Sequence, residues 1–138
     1  MSMFKFLMFF LFPVLIFSQT EKNKTINNQL FVMFYNVENL FDTVDSKIFN
    51  DNEFLPNSKK KWNTYRYFHK LQQLEKVFSS ISKYENNNNM PDIIGLCEVE
   101  NKLVINELLN TSSFQNQKYT VVHKDSPDSR GIDCALLF

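Results

Sequence analysis

Asn36 and Glu98 stand in equivalent places, each closing a short apolar run, Leu30–Tyr35 and Ile93–Cys97 respectively. If those runs pair as neighbouring strands, an amide and a carboxylate meet at one rim of a sheet. Rims at the carboxyl ends of strands are where α/β proteins put their sites. A hard divalent cation such as Mg²⁺ suits that pair, because it takes one or two carboxylates and leaves its other positions to water and substrate phosphate. The same residues also read as a turn cap and a solvated loop acid. Arg130 and Asp133 flank Gly131. Either the guanidinium faces phosphate through bidentate contacts, or it pairs with Asp133 and holds a turn. Lys59-Lys60-Lys61-Trp62 reads first as a solvated loop with Trp62 packed beneath the next helix, and second as a guide for a polyanion. Glu38 and Glu100 read as solvent-facing acids, and Asn101 as a helix cap.

These residues need elements to position them. Leu30–Tyr35 is an unbroken apolar run of strand length, which suggests burial on both faces. Residues 42–61 mix Asp, Asn, Ser and Pro56 and read as a long loop. From Tyr65, the spacing of Phe68, Leu71, Leu74, Phe78 and Ile81 predicts an amphipathic helix with one core-facing stripe. An Asn-rich turn ends it before Met90-Pro91. Ile93–Cys97 predicts a second strand, Lys102–Leu109 a short helix, Tyr119–Val122 a third strand and Ile132–Phe138 a fourth. Strand, helix, strand, helix, strand, strand argues α/β layers, with the first crossover helix packed on the sheet.

Composition narrows the classes. With 15 Lys and Arg against 15 Asp and Glu, the strongly basic balance of a general nucleic-acid coat is excluded. Two cysteines exclude a disulfide-stapled mini-protein and an all-cysteine zinc site. Residues 1–18 carry Lys5, an apolar run from Phe6 to Phe17 and the small Ser18, the pattern of a secretory signal peptide. That run is too short to span a bilayer. The chain is therefore expected to be exported, with no stable membrane span once the signal is removed and a flexible leader over residues 19–29. Cys97 and Cys134 lie in apolar runs and are expected as buried free thiols, although export permits a disulfide. The sequence ends at Leu136-Leu137-Phe138, inside an apolar strand, and so reads as truncated.

Three segments carry a resemblance. Phe34-Tyr35-Asn36-Val37-Glu38-Asn39-Leu40-Phe41-Asp42 resembles the opening motif of the endonuclease/exonuclease/phosphatase family, which has the deoxyribonuclease-I-like fold. Residues 91–101 are similar to its second motif, where a glutamate closes the second strand, and residues 123–133 resemble its third segment as seen in exported bacterial members. The resemblance implies a four-layer α/β sandwich, with residues 30–138 as its partial, amino-terminal half. It implies Mg²⁺- or Mn²⁺-dependent hydrolysis of phosphate esters, nuclease-like cleavage of phosphodiesters first, with lipid or sugar phosphates as the other substrates. Under it, Glu98 is a direct metal ligand, Asn36 holds a metal-bound water or a phosphate oxygen, and Arg130 contacts substrate. The partner is a phosphate ester, nucleic acid among the candidates, and the oligomeric state stays open. The family's later catalytic histidine, Asp-x-Asn pair and closing Asp-His have no counterpart here, and neither His69 nor His123 fills their positions. The chain alone is thus expected to be inactive, with a non-catalytic remnant or binding module as the alternative reading.

Overall fold

The computed structural model describes residues 29–85 and 87–138. Six regular elements follow one another: β1 (Val32–Leu40), α1 (Thr64–Glu85), β2 (Ile93–Val99), α2 (Lys102–Leu109), β3 (Val121–His123) and β4 (Asp133–Leu137). They build one four-stranded sheet in the order β1-β2-β4-β3. β1 and β2 run parallel, and β4 pairs antiparallel with both β2 and β3. Parallel neighbours need a crossover, which α1 supplies. The chain is thus α/β with the element order read from its sequence. The signal segment and all but the last residue of the leader lie outside the described residues. Among the described residues, no helix is long and apolar enough to cross a membrane.

α1 buries Tyr67, Leu71, Leu74 and Phe78 at spacings of four, three and four. Phe68, expected in that stripe, is instead half exposed with its ring edge against Tyr67. The stripe packs on Ile94 and Leu96 of β2 and Leu137 of β4, joined by Val104, Ile105 and Leu108 of α2. Asn101 caps α2 as expected, its side-chain oxygen accepting the Val104 N–H at 3.1 Å.

The opposite face of the sheet is bare. Val32, Phe34, Val122 and Leu136 are exposed there, Phe34 by 72%. The Phe34 ring lies across Gly95, where a Cβ would come within 2.4 Å of it, so any larger residue there would have to push the ring aside. Cys97 and Cys134 oppose each other across β2 and β4 with their sulfurs 3.4 Å apart. They are free thiols, yet Cys97 is half-buried and Cys134 exposed. The buried placement expected of both fails because strand alternation turns Cys134, like Leu136, to the uncovered side.

Candidate metal and phosphate site at the sheet rim

β1 and β2 both continue past the residues expected to end them, and both do so irregularly. The pairing runs from Asn36 opposite Cys97 directly to Leu40 opposite Val99. In that gap Glu38, Asn39 and Glu98 take left-handed φ values of 57°, 61° and 63°. Non-glycine residues adopt that conformation at a cost and concentrate where a bulge re-aims a side chain. Here the bulge turns Glu98 toward β1, where its Oε1 accepts a 3.1 Å hydrogen bond from Asn36 Nδ2. Asn36 Oδ1 accepts the Glu38 N–H at 2.7 Å, which fixes the amide's orientation. Lys70 of α1 donates to the Glu38 carbonyl at 3.0 Å and clamps the bulge to the helix. Partial burial pushes the Lys70 ammonium below the usual lysine range, opposed by the charges of Glu38 and Glu98.

Asn36 and Glu98 open into a cleft of about 580 Å³ whose opposite wall carries Lys59, Lys60, Lys61 and Arg66. The lysine run lines that cleft, while all three side chains stay exposed, as the solvated-loop reading expects. Lys60 is engaged with Glu53 at 2.7 Å and covers the Phe54 ring. Trp62 does pack against the core as expected, and its Nε1 donates to the Phe41 carbonyl at 3.0 Å. An adjoining cavity of about 370 Å³ shares Trp62 and Arg66 with the cleft and adds His69 and Lys70.

Arg130 grips Asp128 rather than Asp133, with Nε and Nη2 at 3.1 and 3.0 Å from its two carboxylate oxygens. That contact raises its pKa, to which the charges of Asp128 and then Glu98 add, so Arg130 lies within the field of Glu98. The loop bearing it is pinned to the long loop after β1: Asn50 N–H donates to the Ser129 carbonyl at 2.9 Å. Gly131, at a φ of 73°, lies beneath the Phe49 ring, which a Cβ would meet at 2.6 Å. Glu100, expected in solvent, is largely shielded, and its Oε2 accepts the Asp42 N–H at 2.7 Å. Burial pushes its carboxyl up to about 7, against the opposing pull of that hydrogen bond.

The donor chemistry fits a hard dication. Glu98 presents a carboxylate oriented by an amide and, among the described residues, has no ion-pair partner. The model of the endonuclease/exonuclease/phosphatase family matches residues 31–138. The chain belongs to that family. No curated protein and no solved structure matches it. Members of the family are hydrolases of phosphate esters, nucleic acids included, and typically depend on a divalent metal. The residues read from sequence as site candidates divide accordingly. Asn36 and Glu98 touch, whereas Arg130 is occupied by Asp128. Lys70 and Arg66, four apart on α1, were not singled out in the sequence.

Proposed function

We propose that this protein is an exported, Mg²⁺- or Mn²⁺-dependent phosphoesterase, nuclease-like in its preference for phosphodiesters. The observation that carries this reading is the Asn36–Glu98 contact, made at the mouth of a cleft walled by lysines. Glu98 would hold the ion through its carboxylate. Asn36 keeps that carboxylate aimed and is a positioning residue unless a phosphate oxygen displaces the Glu98 contact. A bound dication supplies polarisation of the phosphoryl group and neutralises charge that grows in the transition state. Lys59, Lys61 and Arg66 draw the phosphate backbone into the cleft, where their charges act at short range. Arg130 is the reserve phosphate contact, available when a phosphate oxygen competes for it with Asp128.

A second reading, metal and phosphate binding without turnover, has its own support. The lining of the Asn36–Glu98 cleft holds no histidine and no aspartate to activate water. Mn²⁺ titration followed by electron paramagnetic resonance, alongside hydrolysis of bis(p-nitrophenyl) phosphate and nicking of plasmid DNA, separates the two. Binding with turnover, both lost in Glu98→Gln, is the expected result for the enzyme. Binding without turnover selects the second reading. No binding, or full binding in Glu98→Gln, overturns the assignment of Glu98.

A further inference from the structure

His123 closes β3 and Asp133 opens β4, two strands that pair antiparallel with His123 opposite Ala135. Alternation puts Asp133 on the same side of β4 as Ala135, which is the helix-covered side. Asn36 belongs to the opposite, open side with Phe34. The His123 and Asp133 side chains are only 7% and 3% exposed. His123 Nε2 lies 3.1 Å from Asp133 Oδ2, yet it is inaccessible to solvent and makes no hydrogen bond. The distance suits an ion pair, but no ring N–H is aligned with the carboxylate. A proton shared by two such atoms must point along the line joining them, so this contact leaves Nε2 without a hydrogen bond. Asp125, on the loop between β3 and β4, brings a third ligand atom, and all three lie within 4.8 Å of one another.

A buried ring nitrogen without a hydrogen-bond partner, set beside a carboxylate oxygen, is an arrangement that a cation between them would satisfy. Ligands at about 2.0–2.2 Å from a transition-metal dication sit roughly 3.0–3.4 Å apart. The His123–Asp133 separation falls in that interval, and the exposed Asp125, placed within 4.8 Å, would close on the ion by side-chain rotation. Asp133 is already oriented as a ligand would be, its Oδ1 accepting the Ser126 N–H at 2.6 Å while Oδ2 faces the imidazole. Imidazole with two carboxylates suits a borderline ion better than Mg²⁺, whose preference is for oxygen and water.

We propose that His123, Asp125 and Asp133 bind a Zn²⁺-class dication at a site separate from Glu98. The ion ties the loop over residues 124–132, and with it Arg130, to the sheet. Ser126 Oγ already tethers that loop, donating to the Ile132 carbonyl and accepting the Asp128 N–H. A Zn²⁺ held there fixes the reach of Arg130 toward Glu98, so the site is structural rather than one that touches substrate.

The test is calorimetric titration of the full chain, its purification tag removed, with Zn²⁺ in the presence of excess Mg²⁺. Co²⁺ substitution adds a visible absorption band that reports nitrogen and carboxylate ligation. One Zn²⁺ per chain is expected, weakened by about 10-fold or more in Asp125→Ala and in His123→Gln and unchanged in Glu98→Gln. Asp125 is exposed, so that variant keeps the question decidable if the His123 variant fails to fold. Absence of Zn²⁺ binding overturns the proposal. So does binding indifferent to Asp125→Ala, or binding lost in Glu98→Gln, which would assign the ion to the other site.

Discussion

Asn36 and Glu98 meet across β1 and β2 in the open, whereas His123 and Asp133 meet across β3 and β4 almost out of reach of water. Both pairs lie at the same rim, since Asp133 is in register with Val99, the residue after Glu98. They differ in how the backbone presents them. Glu98 reaches its partner through a bulge with left-handed φ, while His123 and Asp133 follow regular strand alternation. The bulge lifts a carboxylate off the pleat and into a cleft, where ligands can exchange with solvent. Regular alternation drives the other pair toward the covered face, where a polar group must keep a permanent partner. One rim therefore presents one solvent-open pair and one buried pair.

The sharpest way to break this contrast is Glu98→Gln. Under the enzymatic reading, metal-dependent hydrolysis is expected to fall by on the order of 10²–10³-fold, with circular dichroism and Zn²⁺ uptake unchanged. Loss of both metal signals together would show one shared site. Next in size is the combined Lys59→Ala, Lys60→Ala and Lys61→Ala variant. Binding of a short single-stranded oligonucleotide should weaken, and the slope of log affinity against log salt should become shallower by about 1 to 2. A slope unmoved by the triple change would return the lysines to the role of a solvated loop.

Glu100, behind the open site, gives a pH test. Its carboxyl stays protonated in the folded protein up to about 7, whereas in the unfolded chain it ionises near the ordinary glutamate value of 4.5. The folded state binds the extra proton between those values, so stability falls as pH rises from about 4.5 to about 7 and this group adds nothing further above that. Discounted for solvent screening of a partly exposed group, the loss is about 1–2 kcal/mol, read as a lower midpoint of urea unfolding. Glu100→Gln should flatten that decline, and an undiminished decline would assign it to another group. The smallest effect is expected from Trp62→Phe, which deletes the hydrogen bond to the Phe41 carbonyl. It should lower stability by about 1 kcal/mol and leave Mn²⁺ affinity unchanged. A drop in affinity would mean that the wall of the cleft helps to aim Glu98.

Much of the architecture was legible beforehand, and the misses have local causes. α2 matches its expected span, because Asn101 caps it and Val104, Ile105 and Leu108 supply its buried side. β1 was expected to stop at Tyr35 and continues to Leu40, because pairing with Val99 rewards the continuation despite the strained Glu38 and Asn39. Phe68 looked like a core residue by type, yet Tyr67 takes its place, since spacing of three or four leaves neighbouring phases undecided. Arg130 was weighed against Asp133, but the turn at Gly131 brings Asp128 to it instead.

Element order, the two strand-end residues that come into contact and the family motifs around them were all readable along the chain. Period and residue type are local properties, so they can be read along the chain. Only packing decided that Lys59–Lys61 line the same cleft as Glu98, that Glu100 is shielded and that His123 meets Asp133. Each of those depends on strand register and on which face a loop folds across. Such choices are made by packing between distant segments, because shifting a strand by one residue exchanges its faces.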